Sequence, residues 1–139
     1  MPVRMELRRI IISETREEQI IVLHEVGGNR SFPIIIGLWE AMAIDRNIRN
    51  KKTPRPLTHD LIENVIRGLD ATLEKVVVNA IQNQTFFAQL VLKKNGAQVT
   101  IDARPSDAVA IAVQMGAPID VDESVLDAVA PPPGAGPGS

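Results

Sequence analysis

Apolar and polar positions alternate at the start of the chain. Val3, Met5 and Leu7 are separated by Arg4, Glu6 and Arg8, and the run ends in Ile10-Ile11-Ile12, which predicts a strand over 3–12. Ser13 to Glu18 is polar and reads as a turn. A β-rich run follows over Gln19 to Val26. Gly27-Gly28-Asn29 then predicts a turn into a third strand, Ser31 to Ile36. Short polar connections between three strands suggest an antiparallel meander.

At Gly37 the period changes. Leu38, Ala41, Met42, Ile44 and Ile48 fall on one face of a helix over 38–48, with Glu40, Asp45, Arg46 and Arg49 elsewhere. Asn50 to Pro56 is a polar loop. A second helix is expected from His59 to about Gly68, with Thr58 as its N-cap and Leu61, Ile62, Val65, Ile66 and Leu69 as its buried face. Leu73 to Ile81, Thr85 to Leu92 and Gln98 to Asp102 read as strands, the last two joined by the strong hairpin dipeptide Asn95-Gly96. A third helix, capped by Ser106, runs to Met115 with Ala108, Ile111, Ala112 and Met115 on one face. A short strand, Ile119 to Val121, and a short helix, Glu123 to Val129, complete the pattern. Strands and helices come in runs, so the fold class is α+β: a mostly antiparallel or mixed sheet with three to four helices in a single domain. That domain is expected over 1–130. The Pro/Gly stretch over 131–139 lacks core-forming residues and is expected to be a flexible tail.

Composition narrows the classes. A chain of 139 residues with 45% hydrophobic and 23% charged residues suits one globular domain. The absence of cysteine excludes disulfides, thiolate metal sites and cysteine nucleophiles. A net charge of −2 spreads no basic field over the molecule, so a nucleic-acid partner would need a local patch. No apolar run approaches the roughly 18 residues that cross a bilayer, and the N-terminus lacks the unbroken apolar core of a signal peptide. A cytoplasmic location without membrane contact is the expectation.

Two predicted helix starts share one order. Arg55-Pro56-Leu57-Thr58-His59-Asp60 and Arg104-Pro105-Ser106-Asp107 both run Arg-Pro, hydroxyl, then an acid in the first turn. Capping explains the hydroxyls and acids. It does not call for the arginines, which beside helix N–H groups could cradle a phosphate. Asp102 and Asp107 flank the second corner, where two carboxylates could bind Mg²⁺ and Arg104 neutralise a phosphate; equally, Arg104 and an Asp could pair and fix the corner. Arg46, Arg49, Lys51, Lys52 and Arg55 form an acid-free basic run able to follow a nucleic-acid backbone or to lie in solvent. A cation at a helix start is disfavoured, so His59 is expected neutral and able to act as base or ligand. His24 reads as structural, and Trp39 as core or interface. Walker, dinucleotide and nucleophile-elbow motifs are absent.

Four blocks in order, Phe32-Pro33-Ile34-Ile35-Ile36-Gly37, Glu40-Ala41, Arg55-Pro56-Leu57-Thr58-His59-Asp60-Leu61 and Asp102-Ala103-Arg104-Pro105-Ser106-Asp107-Ala108, together resemble the bifunctional nuclease domain. The similarity covers about residues 3–129. It implies a compact α+β domain, often oligomeric (a dimer or trimer), associated with cleaving RNA and DNA. By that match Glu40, Arg55, Thr58, His59, Asp60, Asp102, Arg104, Ser106 and Asp107 are carried over as site residues. No extension resembling the UVR-type module of some relatives is expected in this chain.

The expectation that follows is a metal-assisted phosphodiesterase without strong sequence preference. His59, Asp60, Asp102 and Asp107 would be catalytic, and Asp102, Asp107 and Glu40 would hold Mg²⁺ or Mn²⁺. Arg55, Thr58, Arg104, Ser106, Lys51 and Lys52 would bind substrate phosphate. The alternative is a non-catalytic oligomeric module that binds an anion or a partner through the same corners.

Overall fold

The computed structural model describes residues 2–13 and 15–129. Strands β1 (Pro2–Ile11), β2 (Glu18–Glu25) and β3 (Ser31–Gly37) form the expected meander. Helices α1 (Leu38–Ile48) and α2 (Thr58–Gly68) follow. A second meander, β4 (Thr72–Gln82), β5 (Thr85–Lys94) and β6 (Ala97–Ala103), leads to α3 (Pro105–Met115), β7 (Ile119–Asp122) and α4 (Glu123–Val129). The fold is α+β, as the runs of like elements indicated. The Pro/Gly stretch 131–139 lies outside the described residues.

All seven strands join one mixed sheet in the order β3-β2-β1-β7-β4-β5-β6. β7 links the meanders, antiparallel to β1 and parallel to β4. Residues opposite one another in register share a face. Ile21 faces Ile34, Leu23 faces Phe32, Val76 faces Ile119 and Val78 faces Val121. All eight are buried, and they form one cluster with Ala41 and Ile44 of α1, the apolar residues of α3, and Val125 and Leu126 of α4. The other face carries Arg4 opposite Asp120, with Lys75 also on Asp120 at 3.3 Å. Asp120 is buried there, and its charge is compensated by these two cations.

Backbone chemistry sets the turns. Asn95 and Gly96 both have positive φ, 52° and 78°, the conformation of a type I′ hairpin. Asn83 and Gln84 close the β4–β5 hairpin in the same way, with φ 51° and 64°. A Gln in that position carries a steric cost that glycine would avoid. His24 Nε2 donates to the Gly28 carbonyl at 3.0 Å, within the β2–β3 hairpin, as its structural reading anticipated.

Several expected details differ. On α1 the buried residues are Ala41, Ala43 and Ile44, while Leu38, Met42 and Ile48 are exposed. α1 packs on α3, whose buried residues include Ala108, Ala110 and Ala112, so small side chains occur on both helices. Hydrophobicity alone weights the larger residues, so it rotates the face. Trp39 is 77% exposed and takes no part in the core. On α2 only Ile66 of the expected face is buried; Leu61, Val65 and Leu69 are more than half exposed. No described helix is long and apolar enough to cross a membrane.

Candidate functional site

Both Arg-Pro motifs start helices, one residue earlier than expected in α2 and two residues earlier in α3. α2 has Leu57 as its N-cap and α3 has Arg104, with Pro105 at the first helical position, where its missing N–H costs nothing. Thr58 and Ser106 therefore stand inside the first turn, and neither side chain caps its helix. This corrects the expected hydroxyl caps. The shift makes Asp60 and Asp107 equivalent, each the third residue of its helix.

Equivalent positions do different work. Asp60 Oδ2 accepts the Leu57 N–H at 2.9 Å, which satisfies a donor the helix start would otherwise leave open. Asp107 turns away from its own backbone. Its Oδ1 accepts from His59 Nε2 at 2.9 Å, and its Oδ2 from Arg104 Nε at 3.0 Å. Arg104 Nη2 also donates to Glu40 Oε1 at 2.9 Å. One chain of contacts, His59–Asp107–Arg104–Glu40, thus joins the starts of α1, α2 and α3.

Burial and charge follow this geometry. The side chain of His59 is 11% exposed and that of Asp107 28%, while Arg104 reaches solvent. The bond from His59 holds the Asp107 carboxyl below its ordinary value, and the Arg104 guanidinium adds to that against the opposing effect of burial. Asp107 in turn raises the Arg104 guanidinium, with Glu40 contributing less. Glu40 is held close by a glycine: a Cβ on Gly37 would stand 2.5 Å from Glu40 Oε2. Gly37 thereby leaves room for an acid in the first turn of α1.

Asp102 is absent from this cluster. It lies opposite Gln89 in the β5–β6 register, whereas its neighbour Ala103 lies opposite Ala88, a core residue. Asp102 therefore projects from the face away from the core. Among the described residues no three His and acidic side chains gather as a metal site. Glu40 and Asp107 nevertheless touch the same Nη2 atom, at 2.9 and 3.0 Å. One or two carboxylates suffice for Mg²⁺ when water and substrate phosphate complete its shell, and this pair could offer them once the exposed Arg104 guanidinium between them turns to a phosphate.

Lys51, Lys52 and Asp60 line a polar cavity of about 560 Å³ between the end of α1, the loop after it and α2. Its floor is a relay that sequence inspection overlooked. Asn47 Nδ2 donates to Gln114 Oε1 at 3.3 Å, and Gln114 Nε2 donates to Glu63 Oε1 at 2.7 Å and to the His59 carbonyl at 3.4 Å. A lone amide inside the apolar run of α3 was the signal that could have exposed Gln114. Arg104 and Ser106 line a second cavity, of about 650 Å³, on the β3 side with Gly37 and Phe86. Arg55 and Thr58 are exposed and line neither cavity.

A third groove, of about 430 Å³, is wholly apolar. Leu61, Val65 and Leu69 of α2 face Val99 and Ile101 of β6 across it. The expected apolar face of α2 therefore exists, and three of its five residues, Leu61, Val65 and Leu69, are exposed on this groove rather than packed in the core.

A family model described as the bifunctional nuclease domain matches residues 21–133. The chain is 41% identical to an uncharacterized protein of Mycobacterium tuberculosis over 117 residues, covering 84% of this chain and 70% of that protein. It is 31% identical to bifunctional nuclease 2 of Oryza sativa subsp. japonica over 118 residues, 82% of this chain and 36% of the relative. Bifunctional nuclease 1 of Arabidopsis thaliana is 29% identical over 107 residues, 75% of this chain and 33% of the relative. The chain thus spans about a third of the length of these plant nucleases.

Proposed function

The chain belongs to the bifunctional nuclease domain family, and on that premise we propose that it hydrolyses phosphodiester bonds of RNA and DNA at the His59–Asp107–Arg104–Glu40 cluster. One observation carries this reading: Asp107 leaves its helix start to hold the His59 ring with one oxygen and the Arg104 guanidinium with the other. In this reading Asp107 orients His59 through Nε2, leaving Nδ1 as the nitrogen that takes or gives a proton. Arg104 reaches solvent and neutralises a substrate phosphate. Lys51 and Lys52 guide the strand from the neighbouring cavity. Glu40 and Asp107 would hold Mg²⁺ or Mn²⁺, which when bound would polarise the phosphate and acidify water. Asp60, committed to the Leu57 N–H, serves the helix start beside the reaction.

The test is cleavage of labelled single-stranded RNA and DNA by purified protein beside an Asp107→Asn variant of unchanged fold. Loss of cleavage in the variant supports the reading. Equal cleavage by both proteins overturns it.

The apolar groove favours a second reading, a non-catalytic oligomeric module in which a second copy covers α2 and β6. In that case neither protein cleaves, and the cluster serves as a structural corner.

A further inference from the structure

The polar cavity beside α2 holds more hydrogen-bonding capacity than phosphate needs. Arg46, Lys51 and Lys52 supply three cations at its rim, enough to hold a backbone phosphate. Its acids are already engaged: Asp60 with the Leu57 N–H, and Glu63 with Gln114 and with Arg67 at 2.7 Å. Three amides remain. Asn47 uses its Nδ2 on the Ala43 carbonyl and Gln114, leaving Oδ1 without a donor among the described residues. The side-chain amides of Asn50 and Asn64 bond to no other described residue. The amides of Asn50 and Asn64 each offer a donor and an acceptor side by side, the complement of a nucleobase edge such as adenine N6 and N7, and Asn47 adds only an acceptor. The volume, about 560 Å³, falls in the range of small-molecule sites.

We propose that this cavity is a nucleotide subsite, in which Arg46, Lys51 and Lys52 take a phosphate while Asn47, Asn50 and Asn64 read the edge of the attached base, adenine foremost. The inference rests on the nuclease reading for its biological substrate and adds to it a base preference at one position of the strand. Gln114 ties the subsite to the reacting cluster, since it borders the cavity and bonds to the His59 carbonyl. The basic residues hold any strand, and the amides favour one base over another.

The experiment is calorimetric titration of the full chain with adenosine 5′-monophosphate and with ribose 5-phosphate, so that no cleavage is involved. The expected result is about tenfold tighter binding of the nucleotide, the size of one good amide–base pairing. Asn50→Gly/Asn64→Ala should remove that difference; glycine keeps the left-handed backbone at position 50, where φ is 55°. Lys51→Gln/Lys52→Gln should weaken both ligands alike. Equal affinity for the two ligands, no binding of either, or a nucleotide preference untouched by the amide variant would each overturn the subsite. Cleavage of RNA by the same preparation is scored separately. A chain that cleaves without favouring the nucleotide disproves the subsite alone, and one that favours it without cleaving disproves the nuclease reading alone.

Discussion

His59 and Asp107 stand 48 positions apart in the chain and meet at 2.9 Å between Nε2 and Oδ1. Asp60, the positional counterpart of Asp107, stays on its own helix start. The contrast yields a direct comparison. Asp107→Asn and His59→Ala should each lower cleavage about 10²- to 10⁴-fold, the usual contribution of a positioned acid–base group. Asp60→Asn should leave the rate within a few-fold and lower thermal stability instead. Single-turnover assays and thermal melts on the three variants check this, and a larger rate loss in Asp60→Asn than in Asp107→Asn would reverse the assignment.

Stability against acid should depend on the same carboxylate. The His59 bond, followed by the Arg104 guanidinium, holds Asp107 below its ordinary value, so its folded pKa is lower than its unfolded one. The stabilisation is complete above the unfolded value and is lost as pH falls through the folded one. In metal-free buffer, urea melts should therefore show wild type more stable than Asp107→Asn at pH 6, with the gap narrowing below about pH 4. A gap that stays constant down to pH 2 would show that the ionised carboxylate does not stabilise this corner.

Much of this was legible in the sequence because it is local. Alternation located the strands, Asn95-Gly96 marked its hairpin, and the repeated Arg-Pro-hydroxyl-acid order pointed to both helix starts. The choice between Asp60 and Asp107 was not legible, since it depends on how α2 packs against α3. Asp102 looked like a partner of Asp107 because only four residues lie between them, yet strand pleating sends it to the opposite face. Gln114 was hidden for a related reason: its partners Asn47, Glu63 and His59 come from two other helices. Periodicity also told that one face of α2 is apolar, but not what covers it.

The divalent cation is tested by chelation. Dialysis against EDTA should abolish cleavage, and either Mg²⁺ or Mn²⁺ should restore it, because Glu40 and Asp107 are two oxygen donors meeting at one cationic group. Glu40→Gln should raise the metal concentration needed for half-maximal rate about tenfold or more, while Asp102→Asn should leave it unchanged. Full activity in EDTA would remove the metal from the scheme and leave His59 and Arg104 to carry it.

Gln84 offers a test of the fold independent of the site. Its φ of 64° is one that a side chain with a Cβ adopts at a steric cost. Gln84→Gly should therefore stabilise the protein by about 1 kcal/mol, visible as a higher urea midpoint with unchanged slope. A lower midpoint would mean that the Gln84 side chain contributes more, at the rim of the β3-side cavity, than its backbone costs.

The groove between α2 and β6 combines two unpaired features. Leu61, Val65 and Leu69 are each more than half exposed, and Val99 and Ile101 about two-fifths. β6 is also the last strand of the sheet among the described residues, none of which pairs with its outer edge. The five side chains line one wholly apolar groove, and contiguous exposed apolar surface marks an interaction site. A second copy related by a two-fold axis would pair β6 with β6 and bring each groove against the other, which meets the self-complementarity that a symmetric dimer requires. Sedimentation equilibrium should then give a dimer. Val65→Glu/Ile101→Lys should give a monomer with unchanged far-UV circular dichroism, since both side chains point into the groove rather than the core. A wild-type protein that remains monomeric at 100 μM would leave the groove to a partner of another kind and exclude self-association through this face.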